Sequence, residues 1–168
     1  VYKGTPLTLN TPVAIKVLPF SPDESMRKRF AREAQRAASL RHASIVGVLD
    51  YEYDTHLDTY YIISEFIDGI DLKRLMQRRG GPLRIDEVVR HIVQVGAALQ
   101  FAHSQNIIHR DIKPSNILLE QRTGRVVLCD FGLARMIEGE VLDVTSSTGV
   151  KPGTPAYMSP EQCLGKDL

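Results

Sequence analysis

Residues 107–116 read IIHRDIKPSN, and this stretch gives the strongest indication of how the chain folds. Two apolar residues lead into a cluster in which a carboxylate, an amine and an amide follow one another closely: Asp111, Lys113 and Asn116. An ordinary polar turn could hold these three groups by chance. A functional role for the three groups therefore depends on whether the rest of the sequence contains other residues of the same chemistry.

The size and composition of the chain predict a single soluble domain. It has 168 residues, 43% hydrophobic and 24% charged, close to the globular average. A net charge of +1 predicts no attraction to nucleic acid or to a membrane surface. Cys129 and Cys163 form no C-x-x-C pair, and no zinc spacing is present. We therefore expect a cytoplasmic domain, with any membrane anchor outside these residues.

A strand and a helix upstream carry two charged residues on apolar faces. The segment PVAIKVL (12–18) alternates with a period of two, which places Lys16 on the same face as Ala14. A helix is predicted from about 22 to 40, and Glu33 lies on its apolar stripe. A carboxylate facing the core is costly unless it is paired.

The remaining patterns divide the chain into two parts. We predict strands at 45–53, 59–66, 116–120 and 125–130, helices at 71–79 and 85–104, and a long loop over 130–161. The break near 66–70 predicts a hinge, so the expected lobes are residues 1–66 and 67–168.

Four motifs in order carry a family resemblance. They are VAIK (13–16), HRDIKPSN (109–116), DFG (130–132) and SPE (159–161), and together they resemble the protein kinase family. The resemblance implies an α+β, two-lobed kinase-like fold truncated at both ends. The N-lobe, an antiparallel sheet and one helix, would lack the glycine-rich loop. The mainly helical C-lobe would run through the activation segment.

The resemblance gives the central cluster a role in phosphoryl transfer, which needs positioning and charge neutralisation more than covalent chemistry. It implies that Asp111 is the catalytic base and that Lys113 neutralises the γ-phosphate. Asn116 and Asp130 are the implied ligands of Mg²⁺, a hard cation that prefers oxygen.

An ATP site between the lobes is also implied. Lys16 would contact the α- and β-phosphates, with Glu33 holding it in place; a purely structural ion pair is the alternative. The adenine and ribose contacts implied by the family pattern are Val1, Ala14, Glu65, Ile67, Asp71 and Leu118, of which Val1 and Leu118 could equally be core residues.

Two small residues border that expected site. Ser64 would be the gatekeeper, whose small side chain would leave a back pocket open. A small residue that is simply tolerated in a strand is the alternative. Cys129 directly precedes Asp130. Its thiol could be reactive or could be an inert buried group, and the sequence leaves both alternatives open.

Regulation is implied by the long loop. In the family, the arginine at the position of Arg110 couples a phosphorylated loop to the active site through charge-assisted bonds. Thr145, Ser146, Ser147 and Thr148 are the candidate phosphosites, and the resemblance to bacterial enzymes favours Thr145 and Ser147. An unregulated loop rich in hydroxyl groups would look similar. Thr154 lies in GTPAYMSPE (153–161), an implied substrate-docking segment.

The predicted function is therefore that of an ATP- and Mg²⁺-dependent serine/threonine protein kinase of the bacterial type, acting on protein hydroxyl groups. Self-association for autophosphorylation stays open, and a catalytically inactive kinase-like scaffold is the alternative. VYKG (1–4) resembles the sequence that follows a glycine-rich loop. We therefore expect a fragment that is inactive alone.

Overall fold

The structure is a computed structural model that describes residues 1–7, 10–18, 24–57, 59–131 and 155–164. Its strands are β1 (Tyr2–Gly4), β2 (Val13–Leu18), β3 (Val48–Asp54), β4 (Thr59–Glu65), β5 (Gly69–Asp71), β6 (Ile117–Glu120) and β7 (Val126–Leu128). Its helices are α1 (Glu24–Ser39), α2 (Leu72–Arg79), α3 (Ile85–Ser104) and α4 (Pro160–Cys163), and 3-10 turns cover Pro114–Asn116 and Pro155–Tyr157.

A four-stranded antiparallel sheet and α1 form the first part of the molecule. The strand order is β1-β2-β4-β3. In the register of β2 with β4, Ala14 lies opposite Ser64 and Lys16 opposite Ile62. The register is regular along β2, and side chains two residues apart on a strand point to the same face. Lys16 and Ala14 therefore share a face, as the alternation predicted.

A smaller sheet lies beyond this one, with order β5-β6-β7. Helix α2 begins after Asp71, whose side chain accepts the N–H of Arg74 at 2.8 Å, and ends at Gly80 with φ of 71°. Both ends use standard capping chemistry. Helix α3 runs over the predicted residues and buries Val95, Ala98 and Ala102.

The segment after α1 joins the two sheets. Ile45 forms a parallel bridge with Leu128, and the Leu128 backbone bonds to both Ser44 and Val46 at 2.9 Å. Leu40, Ile45, Leu128 and Phe131 belong to one buried cluster with the inner face of α3. This continuous core fixes where the loop after β7 begins.

The differences from the predicted elements are local. The strand expected from residue 45 begins at Val48, because residues 44–46 pair with β7 instead. The last residues of the loop predicted over 130–161 form a 3-10 turn and begin α4, which Ser159 caps. Within the described residues, no helix is long and apolar enough to cross a membrane.

Candidate active site

The polar cluster of residues 111–116 closes on itself as a compact loop. The Asn116 amide nitrogen donates to the Asp111 carboxylate at 2.9 Å and to the Asp111 carbonyl oxygen at 2.8 Å. The Lys113 ammonium lies 2.6 Å from the same carboxylate. The 3-10 turn at Pro114–Asn116 makes the chain reverse over this short distance. The three groups are therefore in direct contact.

The bonds of Asn116 also fix which way its amide points. Both Asp111 partners are acceptors, so the NH₂ end must face them and the amide oxygen Oδ1 faces away. An amide oxygen and the Asp130 carboxylate are ligands that suit Mg²⁺, which usually takes its other ligands from phosphates and water. No cluster of three or more His, Cys, Asp or Glu side chains suited to a metal occurs in the described part of the chain. An amide oxygen and a carboxylate are each the kind of ligand that suits a cation shared with a phosphate.

His109, which the sequence reasoning did not single out, anchors this loop. Its side chain is 1% exposed, and its Nε2–H donates to the Cys129 carbonyl oxygen at 2.8 Å. Its Nδ1 accepts the Asp111 backbone N–H at 3.2 Å. Phe131 packs edge-on against the ring, with centroids 4.6 Å apart. Burial lowers the pKa of His109, so the neutral tautomer that makes both bonds is favoured.

Asp130 follows β7 and meets Lys16 across the two sheets. The Lys16 ammonium lies 2.9 Å from the Asp130 carboxylate, and the two side chains are 29% and 31% exposed. Asp130 has φ of 67°, and such positive values in residues other than glycine cluster at functional sites. The sequence reasoning paired Lys16 with Glu33 and missed this contact. The Glu33 side chain lies outside the described residues.

The Cys129 thiol is bonded to the backbone of the neighbouring loop. It is half-buried, and its Sγ–H donates to the Asn116 carbonyl oxygen at 3.4 Å. Burial, followed by the Asp130 charge, raises the pKa of Cys129 to about 12. Since only the thiolate is nucleophilic, this environment favours the inert alternative.

A cavity of about 60 Å³ lies behind Ser64. Lys16, Asp130 and Phe131 border it, together with apolar residues of α1 and the sheet. It is far smaller than the ~300 Å³ or more of typical ligand pockets. Ser64, the expected gatekeeper, is among its lining residues.

The remaining expected ATP contacts lie on or next to strands of the two sheets. Val1 is 83% exposed, and Leu118 lies opposite Asp71 in the register of β5 with β6. The Asp71 carboxylate caps α2 and lies 3.4 Å from the Arg74 guanidinium. The Glu65 carboxylate accepts the Gly47 N–H at 2.9 Å. Ile67 is buried at the start of the connection between the sheets.

Arg110 has an unusual backbone with φ of 66°. Its carbonyl oxygen accepts a 2.7 Å bond from the side chain of Gln162 in α4, a residue that the sequence reasoning missed. The predicted regulatory and docking residues Thr145, Ser147 and Thr154 lie outside the described residues.

The two antiparallel sheets carry an Asp–Lys–Asn loop and a Lys–Asp pair, and His109 links the two segments. The sequence model of the protein kinase domain matches residues 1–167, so the chain belongs to the protein kinase domain family.

Particular relatives sharpen this assignment. The chain is 38% identical to the serine/threonine-protein kinase PrkC of Bacillus subtilis, over 98% of this chain and 25% of that protein. It is 40% identical to the serine/threonine-protein kinase PknB of Mycobacterium tuberculosis, over 100% of this chain and 27% of that protein. The chain therefore spans about a quarter of the length of these curated relatives.

Solved structures agree with the fold. The kinase domain of PknI from Mycobacterium tuberculosis superposes with a TM-score of 0.78 at 29% identity, covering 99% of this chain and 60% of that one. The predicted two-lobed, kinase-like fold is thereby confirmed.

Proposed function

We propose that this chain is part of the catalytic domain of an ATP-dependent serine/threonine protein kinase. Residues 1–66 and 67–168 belong to its two lobes, and its active site lies in the cytoplasm. The observation that carries the proposal is the loop in which Lys113 and Asn116 both contact the Asp111 carboxylate. Bacterial relatives named serine/threonine-protein kinases support the choice of acceptor.

Asp111 is the proposed base. Its carboxylate would accept the proton of a substrate Ser or Thr hydroxyl as that oxygen forms its bond to the γ-phosphorus. The bond from the γ-phosphorus to the bridging oxygen then breaks and leaves ADP. The bonds from Lys113 and Asn116 hold the carboxylate in one orientation, which a base needs for proton transfer.

The Lys16–Asp130 pair is the proposed phosphate and metal site. An ammonium has three donors, so Lys16 can bond to Asp130 and to the α- and β-phosphates together. Asn116 and Asp130 would hold a magnesium ion. The ion supplies positive charge that neutralises the phosphate oxygens. Glu33 is proposed to hold Lys16 in place.

The nucleotide and the regulatory loop complete the proposal. Adenine and ribose would lie among the residues implied by the family pattern, namely Val1, Ala14, Glu65, Ile67, Asp71 and Leu118. Protein substrates would dock near Thr154. Phosphorylated Thr145 or Ser147 would pair with Arg110 through charge-assisted bonds, with self-association as the route to autophosphorylation.

The test is phosphoryl transfer by the purified full-length protein. With γ-labelled ATP and Mg²⁺, we expect label on the protein itself and on a basic protein substrate. Phosphoamino-acid analysis should find phosphoserine or phosphothreonine. ATP binding without any transfer would instead support the scaffold alternative, and label on tyrosine alone would contradict the assigned acceptor.

A further inference from the structure

One peptide group next to the proposed base is held at both ends. The peptide that joins Arg110 to Asp111 donates its N–H to His109 Nδ1 at 3.2 Å. Its carbonyl oxygen accepts the side-chain amide of Gln162 at 2.7 Å. The first partner is adjacent in sequence, whereas Gln162 is 52 residues away, in α4. The direction in which Asp111 leaves the backbone therefore depends on two separate parts of the fold.

The backbone at this point needs such support. Arg110 has φ of 66°, in the left-handed region where the Cβ of an L-residue crowds the backbone. Residues in this region persist when surrounding contacts over-determine them. The bond from Gln162 is one such contact, because it fixes the carbonyl of the same residue.

Gln162 is itself held rigidly. Its Oε1 accepts the Ser159 N–H at 3.1 Å, and its own N–H donates to the Ser159 hydroxyl at 3.3 Å, which together form a capping box at the start of α4. Since Oε1 is bonded to an N–H, the NH₂ end must face the Arg110 carbonyl oxygen. Its orientation is therefore assigned by partners on both sides.

We propose that Gln162 is a positioning residue for the catalytic loop: through the Arg110 carbonyl it fixes the orientation of the Asp111 backbone and couples α4 to the base. The inference rests on the proposed kinase function. It predicts that losing the donor at residue 162 lowers turnover and leaves ATP binding intact.

The substitution Gln162→Glu isolates this one bond. Glutamate keeps an oxygen for the capping box, in which it is as common as glutamine, but presents no N–H to the Arg110 carbonyl oxygen. Gln94→Glu is the matched control, because Gln94 also accepts a backbone N–H, from Val126 at 3.0 Å, and donates to a carbonyl, of Arg90 at 3.4 Å. Gln94 lies on α3 and touches no proposed site residue in these contacts.

In the full-length protein we expect Gln162→Glu to lower kcat about tenfold or more near pH 7.5, since small misplacement of a reacting group is costly. The KM for ATP and the melting temperature of Gln162→Glu should match those of Gln94→Glu. A kcat within about twofold of the control would overturn the proposal. No transfer by the wild type would instead refute the kinase function.

A pH profile separates positioning from loss of folding. A protonated glutamic acid can donate to the Arg110 carbonyl oxygen, so the kcat of Gln162→Glu relative to wild type should rise as the pH falls from about 7.5 toward about 5. Acid would not restore a misfolded enzyme. A flat ratio across this range would overturn the proposal even if the variant proved less stable than wild type.

Discussion

His109 shows how one buried side chain organises the proposed site. Its two ring nitrogens bond to the backbone of two separate segments, one to the Cys129 carbonyl oxygen and one to the Asp111 N–H. A charged imidazolium could not accept the second bond. The fold therefore favours the neutral ring, in agreement with the pKa that burial lowers.

The preference of the native fold for neutral His109 makes its stability depend on pH. Because the pKa of His109 is lowered in the native fold, the unfolded chain binds a proton that the native chain does not once the pH falls below about 6.5. The free energy of unfolding should therefore fall on acidification, by at most about 1.4 kcal/mol per pH unit from this residue. Urea unfolding of the full-length protein between about pH 7.5 and pH 5 measures the slope.

Two variants separate His109 from other histidines. His109→Phe should flatten the slope, although His91, whose pKa burial also lowers, keeps its own share. His103→Phe, at an exposed position of α3, controls for the general effect of replacing a histidine with phenylalanine. Equal slopes for wild type and His109→Phe would show that His109 does not carry the linkage.

At the scale of elements, strand β5 depends on a glycine. A Cβ built on Gly69 would lie 2.2 Å from the Leu119 carbonyl oxygen in β6, and backbone cannot yield as a flexible side chain can. Gly81 has no atom within 4 Å of its Cβ position and no positive φ. The two glycines flank α2 and so form a matched pair.

We expect Gly69→Ala to destabilise the fold by about 1–3 kcal/mol, the usual cost of forcing extra atoms into a packed site. Gly81→Ala should change stability by less than about 0.5 kcal/mol. Denaturant unfolding of both variants in the full-length protein checks the pair, and similar stabilities would argue against the close approach of β5 to β6.

Regular periodicity made most elements predictable. Helix α3 begins and ends where the apolar pattern and its flanking residues indicate, and the alternation of β2 placed Lys16 correctly. The short strands β1 and β5 were not predicted, because three residues carry no detectable period and their pairing comes from long-range partners. Residues 45 and 46 were assigned to the strand β3, although they pair with β7, for the same reason.

For the whole molecule, Arg125 connects regions distant in sequence. Its guanidinium donates to the Ala43 carbonyl oxygen at 3.1 Å and lies within 3.6 Å of Glu65 and 3.5 Å of Glu120. These partners belong to the segment after α1, the end of β4 and the end of β6. Arg125 therefore helps to fix one sheet against the other.

Replacing Arg125 with Met should lower the free energy of unfolding by about 1 kcal/mol, mainly through the lost bond to the Ala43 carbonyl, since partly exposed ion pairs contribute little. Arg122→Met, in the same hairpin but exposed, is the control. Urea unfolding of both variants measures this difference. Equal free energies of unfolding would contradict the bridging role of Arg125.

The site was predictable where chemistry is local in sequence and unpredictable where it is not. Asp111, Lys113 and Asn116 lie within six positions, so their proximity was visible in the sequence, although the bonds among them were not predicted. The Lys16–Asp130 pair and the Gln162–Arg110 bond join residues far apart along the chain, and no sequence period reports such contacts. Only the packing of the two sheets and α4 brings them together.

The most direct test of the kinase proposal is the turnover of Asp111→Asn in the full-length protein. Removing a general base usually costs about 10²–10⁴ in rate, so we expect kcat for protein phosphorylation to fall by that factor while ATP still binds. Asp86→Asn, on the exposed start of α3, should match wild type. A turnover of Asp111→Asn within about threefold of wild type would contradict the assignment of the base.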